Sequence, residues 1–154
     1  LARDLAAGVL KASSPRHIVV VSESEEVSRF AEESGVEVLQ SSANGLNEAV
    51  QGAYGVLSSR FDVVIVAHGD LRVPDGLGTF EPETGITLFA DHHGEGTNVL
   101  VVPTGLDFRF AYGPGSLSRH VAEAERLGVE FRVERDSPWR YDVDEISDLG
   151  DLDV

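Results

Sequence analysis

The sequence predicts an α/β protein in which a mostly parallel sheet is covered by helices on both sides, a three-layer α/β sandwich. Three observations predict it. Short β-branched runs alternate with segments of helical periodicity. The early runs are apolar throughout, which is the profile of strands buried on both faces. The length of 154 residues, with 42% hydrophobic and 25% charged side chains, supplies the core of one domain of ordinary composition. Residues 1–154 read as a single domain with no internal repeat, low-complexity tract or linker.

Leu1, Leu5 and Val9, with Ala2, Ala6 and Leu10, recur at helical spacing, so the chain opens inside an amphipathic helix that Ser13-Ser14-Pro15 stops. Residues 17–21 (HIVVV) form a short strand. Ser22 and Glu25 have the spacing of a capping box, followed by Val27, Phe30 and Ala31 on one face and Gly35 as terminator. Residues 36–39 are a second strand. A helix starting at Asn44 or Gly45 buries Leu46, Ala49, Val50, Ala53 and Leu57. Residues 61–67 (FDVVIVA) are the clearest strand, and 86–90 and 98–102 are two more. Ser116 caps a helix with Leu117, Val121, Ala124 and Leu127 inward and Gly128 after it. Residues 129–133 and 140–143 complete the strands.

Twenty-seven acids against 12 bases give a net charge of −15, and Lys11 is the only lysine. Such a surface repels nucleic acid and anionic lipid, so neither is expected as a partner. An anionic ligand has to be held by helix N-termini, backbone amides, an arginine or a divalent cation. High-salt or GC-rich coding habits account for the same composition equally well. Cysteine is absent, which excludes disulfides, thiolate metal sites and Cys nucleophiles. With no apolar run of about 18 residues and no charged segment leading into one, a cytoplasmic location is expected. The chain has no methionine and begins with Leu1 in a helix, so it is expected to be a piece without its true N-terminus.

Ligands of open α/β sheets bind beyond the carboxyl ends of the strands, and five loops there carry candidate chemistry. His68-Gly69-Asp70-Leu71 presents a carboxylate of the kind Mg²⁺ takes alongside substrate phosphate oxygens; a turn cap is the alternative. In Tyr141-Asp142-Val143-Asp144, strand alternation puts Asp142 and Asp144 on one face, which is costly unless a cation or water lies between them. An exposed acidic tail is the alternative. In Gly94-Glu95-Gly96-Thr97-Asn98 the glycines let amides converge on an anion and Thr97 adds a hydroxyl, with an ordinary hairpin loop as the equal alternative. His92 and His93 beside it lack a third ligand for zinc.

The loop Tyr112-Gly113-Pro114-Gly115-Ser116 leads into a helix N-terminus suited to an anion. His120, one turn after Ser116, reads as solvent-exposed. Gly45-Leu46-Asn47 opens a helix in which the Asn47 amide offers a donor and an acceptor to a base edge, or is simply part of a routine helix start. No nucleophile elbow, Walker A motif, G-x-G-x-x-G loop or basic-aromatic stripe is present.

In this order, Gly45-Leu46-Asn47-Glu48-Ala49-Val50, Gly69-Asp70-Leu71, residues 91–100, residues 110–120 and Asp142-Val143-Asp144 with Asp148-Leu149 resemble the guanylyltransferases of coenzyme F420 biosynthesis, which act on 2-phospho-L-lactate or phosphoenolpyruvate. They fall within the wider molybdenum-cofactor-guanylyltransferase-like nucleotidyltransferases. The resemblance runs over residues 1–149 and is most specific in 91–100 and 110–120. It implies a Rossmann-like three-layer fold and transfer of GMP from GTP to a small phosphorylated three-carbon acid, with release of diphosphate. It further implies Asp70, Asp142 and Asp144 as Mg²⁺ carboxylates and catalytic residues. Thr97, Gly113 and Ser116 become the acceptor cradle, and Gly45, Leu46 and Asn47 part of the nucleotide pocket.

The family's first strand and its Lys/Arg loop have no counterpart before Leu1. Asp70-Leu71-Arg72 stands where the family has Asp-Leu-Pro, and Asp144-Glu145-Ile146 where it has Asp-Thr-Pro. Two alternatives remain: a related nucleotidyltransferase with another acceptor or base, and a non-catalytic remnant that keeps the acceptor pocket. The sequence chooses neither between the two acceptors nor between a monomer and a homodimer.

Overall fold

The computed structural model describes residues 1–39 and 45–143. Its elements in order are α1 (Ala2–Ser13), β1 (Val19–Val21), α2 (Glu25–Glu33), β2 (Glu37–Leu39), α3 (Leu46–Ser58), β3 (Val63–Ala67), β4 (Ile86–Ala90), β5 (Thr97–Pro103), α4 (Ser116–Leu127), β6 (Phe131–Glu134) and a 3-10 turn (Pro138–Arg140). Period-two alternation along the strands divides the interior into two cores. Val64 and Val66 of β3, Ile86, Leu88 and Ala90 of β4, and Leu100 and Val102 of β5 pack with Val50 and Tyr54 of α3 and Leu117 and Ala124 of α4. Ile65, Ala67, Phe89 and Val99 project from the opposite face, against Val9 of α1, Leu71, Leu77, Phe80 and Trp139. The expected α/β layering follows directly: helices on one side, the sheet, then α1 and the 71–80 and 139 segments on the other.

The sheet is mostly parallel in direction, with one strand reversed. In the four-stranded order β3-β5-β4-β6, β5 runs antiparallel to β3 and to β4, while β4 and β6 are parallel. The reason is loop length. Only residues 91–96 join β4 to β5, enough for a hairpin but too few for the dozen or more residues that a parallel crossover needs. β1 and β2 form a separate parallel pair, and α3 contacts both β1 and β3. Bonded to β2 alone among the described residues, β1 is half-buried rather than sealed on both faces, and its strand begins at Val19. His17 instead bonds Glu37 at 3.0 Å, and Arg60 joins the same carboxylate. By contrast Val99, Leu100, Val101 and Val102 of the central β5 are all 0% exposed.

Three local expectations are corrected. The cap of α2 is Ser24, whose Oγ accepts from Val27 N at 3.3 Å; Ser22 Oγ accepts from Ser24 N and stabilises the turn before it. The cap of α4 is Gly115 in the left-handed region at φ 76°, not Ser116, because Ser116 has turned its hydroxyl inward. Residues 140–143 are not a strand: Ser137 caps and Pro138 opens a 3-10 turn, after which only Asp142 makes a single antiparallel bridge, to Leu71. No helix among the described residues is long and apolar enough to cross a membrane.

One glycine holds the two sides of the second core in contact. Gly78 N donates to Ala12 O at 2.9 Å, and a Cβ on Gly78 would lie 1.9 Å from the Ser14 carbonyl oxygen. Two stretches of backbone would have to separate to admit it. Gly78→Ala is therefore expected to cost about 3 kcal/mol, seen as a lowered denaturant midpoint with unchanged m-value.

Candidate active site

The Asp70 loop and the Asp142 segment, far apart in the chain, are bonded along their backbones. Val143 N donates to Asp70 O at 3.0 Å and Arg72 N donates to Tyr141 O at 2.9 Å, on either side of the Leu71–Asp142 bridge. Leu71 is the anchor: at 1% exposure it is sunk in the second core, so the residue before it is held at the rim beyond β3. Asp142 is itself 8% exposed. Its Oδ1 accepts from Asn98 Nδ2 at 3.3 Å and lies 3.7 Å from His92 Nδ1. The Asp70 Oδ1 atom is buried as well. Asp144 lies outside the described residues, so the expected Asp142/Asp144 pair is described at Asp142 alone. Among the described residues no three His, Asp or Glu side chains gather into a metal cluster.

Asn98 and its neighbour Thr97 connect this rim to a second group of polar residues. They are successive residues of β5, both buried, and successive strand side chains point to opposite faces. Asn98 holds Asp142 and bonds Trp139 O at 3.0 Å. Thr97 N donates to Ser116 Oγ at 3.2 Å, and Thr97 Oγ1 lies 3.1 Å from His120 Nδ1. Ser116 N in turn donates to Gly113 O at 3.1 Å. Thr97, Gly113 and Ser116 thus belong to one network. Ser116 and Thr97 have their side chains inside it at 3% and 1% exposure, while Gly113, with φ 117°, faces solvent.

His120 is not exposed; it is 0% exposed and central. Its Nε2 accepts from Ala111 N at 2.9 Å, so that nitrogen carries no proton, and the neutral ring must carry its hydrogen on Nδ1 and donate it to Thr97 Oγ1. Burial, assisted by the charge of Arg119, lowers the His120 pKa to about 4. Tyr112 packs edge-on against the ring at 4.9 Å, and burial raises its phenol above the ordinary value. Arg119 fixes the loop from outside, donating from Nε and Nη2 to Ala111 O at 3.2 and 3.0 Å and from Nη1 to Pro114 O. Replacing Ser116 by alanine strips the buried Thr97 N–H of its acceptor. The expected consequence is a loss of stability of about 1–3 kcal/mol, seen as a lowered denaturant midpoint.

At the start of α3, Asn47 does not present a free amide. Nδ2 donates to Tyr112 O at 3.2 Å and Oδ1 accepts from Tyr112 N at 2.6 Å. One turn on, Gln51 repeats the clamp on Phe108 O and Phe110 N at 2.8 and 3.0 Å. A base edge would meet only the second hydrogen and the second lone pair of Asn47. Gly45, at φ 111°, is the helix cap, and Leu46 is 52% exposed. Leu46 and Ala49 line one wall of a cavity of about 320 Å³ whose other wall is Val21, Ser22, Glu23 and Ser24, beyond the end of β1. The family resemblance implies Leu46 for the nucleotide pocket but not Ser22, Glu23 or Ser24; their place just beyond the β1 strand is the sequence signal for them.

The glycine nest at 94–96 already has an anion. Asp91 Oδ1 accepts from Glu95 N at 3.0 Å, and its Oδ2 would lie 2.6 Å from a Cβ on Gly96. Burial pushes this carboxyl up, but the Gly96 and Glu95 amides with His93 and His92 outweigh it and hold it below the usual range. His92 and His93 lie in the turn after β4 with ring centres 3.9 Å apart, so they share a side.

The description "Guanylyl transferase CofC like" belongs to the family model that matches residues 1–154. Similar proteins include a phosphoenolpyruvate guanylyltransferase of Sphaerobacter thermophilus, 31% identical over 141 residues that make up 88% of this chain and 68% of that protein. One of the same name from Roseiflexus castenholzii is 29% identical, over 91% of this chain and 67% of its own. A 2-phospho-L-lactate guanylyltransferase of Methanocaldococcus infernus is 22% identical over 94% and 67%. With its whole length matched and its polar residues joined at one rim, the chain belongs to the CofC-like guanylyl transferase family of nucleotidyltransferase enzymes.

Proposed function

We propose that this protein transfers GMP from GTP to phosphoenolpyruvate, with 2-phospho-L-lactate as the second acceptor to test, and that it does so with Mg²⁺. The observation that supports this most is the backbone pairing of the Asp70 loop with Asp142, next to the Thr97–Ser116–Gly113 network. The similar proteins at 31% and 29% identity bear the phosphoenolpyruvate name and the one at 22% the phospholactate name, which favours phosphoenolpyruvate.

The residues present suit a hard cation: two carboxylates with buried oxygens, one steadied by the Asn98 amide, are what Mg²⁺ takes in addition to phosphate oxygens. Asp70 and Asp142 would hold it, with Asp144 as the third expected ligand. When bound it supplies charge neutralisation and Lewis acidity at the phosphates. The acceptor's phosphate oxygen forms a bond to the α-phosphorus of GTP as the bond to the β-phosphate oxygen breaks, and diphosphate leaves. A phosphate dianion is already nucleophilic, so no general base is assigned to His68, His92, His93 or His120. Gly113 and the Thr97–Ser116 pair shape the acceptor's place, and Leu46 with the β1–α2 loop shapes the nucleotide's.

The test is incubation with GTP, Mg²⁺ and each acceptor in turn while diphosphate is monitored. Release with phosphoenolpyruvate and not with phospholactate fits the proposal; release with neither would overturn it.

A further inference from the structure

The short bridge that joins the Asp70 loop to Asp142 has a basic side. Directly opposed residues of an antiparallel bridge share a face, so Leu71 and Asp142 point one way and the next pair, Arg72 and Tyr141, the other. The Arg72 guanidinium carbon lies 5.2 Å from the Tyr141 ring centre, and that of Arg140 lies 4.8 Å from the same centre. Arg140 Nη2 also donates to Tyr141 Oη at 2.9 Å. Two like charges on one ring repel, and the ring face only partly offsets this.

Among the described residues, neither arginine has a carboxylate at close range. Arg72 makes no side-chain hydrogen bond or ion pair among the described residues, and its Nε is buried without a partner. Among the described acids Arg140 reaches only a fully exposed Asp136, at 3.9 Å. The neighbouring acid, Asp142, is turned to Asn98 and His92. In a chain with 27 acids and 12 bases, two cations without a close acid among the described residues, next to the Asp70 loop, point to a ligand rather than to surface pairing.

We infer that Arg72 and Arg140, stacked on Tyr141, form a phosphate-binding site next to the Asp70 loop, on the face of the bridge away from Asp142. Guanidinium groups bind phosphate oxygens through charge-assisted, often paired hydrogen bonds. The fixed backbone of Arg72 and the ring under both side chains reduce the ordering cost of that contact. The choice of ligands rests on the guanylyltransferase reading, which offers two sources of phosphate: the diphosphate part of the nucleotide and the phosphate of the acceptor.

The experiment is calorimetric titration of the whole protein in Mg²⁺ buffer, separately with inorganic diphosphate and with phosphoenolpyruvate. Loss of one charged hydrogen-bonding group corresponds to roughly a ten- to hundredfold weaker binding. Arg72→Gln is expected to weaken one ligand by that factor, with Arg72→Lys recovering part of it. Weakened diphosphate places the site on the nucleotide side, and weakened phosphoenolpyruvate on the acceptor side. Should Arg72→Gln not fold, Arg140→Gln carries the same expectation. Binding of both ligands unchanged within about twofold in the folded variants, or no binding of either by the wild-type protein, overturns the inference. Diphosphate release assays run in parallel keep the two ideas apart: an Arg72-dependent phosphate site in a protein that releases no diphosphate with either acceptor would retain the site and reject the proposed reaction.

Discussion

Asp70→Asn is expected to reduce guanylyl transfer at least about a thousandfold, because several kcal/mol of transition-state stabilisation rests on a charged carboxylate at this point. The substitution keeps the size and shape of the side chain and removes its charge. The backbone of Asp70 accepts from Val143 N and Leu71 stays buried, so the bridge to Asp142 persists in the variant. Loss of turnover then reports on charge rather than on loop position. The companion measurement is Mn²⁺ binding followed by electron paramagnetic resonance: Asp70→Asn should weaken it, and Asp142→Asn should weaken it in the same direction. Near-normal turnover in Asp70→Asn would remove the carboxylate from the reaction. Normal Mn²⁺ binding with lost turnover would keep Asp70 catalytic but take it out of the metal site.

In the sequence, Asp70 and Asp142 are linked only by family resemblance, since residues so distant carry no mutual spacing signal. What did show in the residues was the layering. The stripes of α3 and α4 are periodic and report which helix face is buried, while the apolar runs of β3 and β5 mark strands of the interior. Direction is not periodic. The apolar run of β5 reads the same whether it lies parallel or antiparallel, and only the shortness of the 91–96 loop reveals the reversal. Polar partners were harder still. The stripe Leu117, Val121, Ala124 already contains position 120, three after Leu117 and four before Ala124, yet a histidine there suggested solvent. Its burial depends on two bonds from other elements, Ala111 N and Thr97 Oγ1, that no local pattern encodes. The Asn47 and Gln51 clamps are of the same kind: a helical i, i+4 pair is visible, but its partners at 108–112 are tertiary. Asp91 filled the nest that glycine spacing had suggested for a ligand, because an acid at the end of β4 is nearer than any solute.

Acid should destabilise the protein through His120 in a window that the buried ring defines. In the fold its pKa is lowered to about 4 by burial and by Arg119, with His68 adding to the effect and Glu123 opposing it. In the unfolded chain the ring has its ordinary value near 6.5. Between these values the unfolded state binds a proton that the folded state refuses, so unfolding becomes more favourable as pH falls. The contribution is complete at pH 7, declines from about pH 6.5, and is exhausted below about pH 4, where both states are protonated. The difference corresponds to roughly 3 kcal/mol over the window. Carboxylates held below their ordinary values, such as Asp91, add their own losses at lower pH, so the His120 part is isolated by difference. His120→Gln retains an acceptor for Ala111 N but gives up the donor to Thr97 and cannot titrate. At pH 7.5 it is expected to be less stable than wild type by about 1–3 kcal/mol for the lost buried bond. As pH is lowered towards 4 the gap should shrink and then change sign, because only the wild-type unfolded chain is stabilised by taking up a proton on this ring. Denaturant midpoints of the two proteins at pH 7.5, 6, 5 and 4 measure it. A gap that stays constant across this range would mean that the ring takes up its proton at the same pH in the fold as in the unfolded chain, and would overturn the buried, neutral assignment of His120.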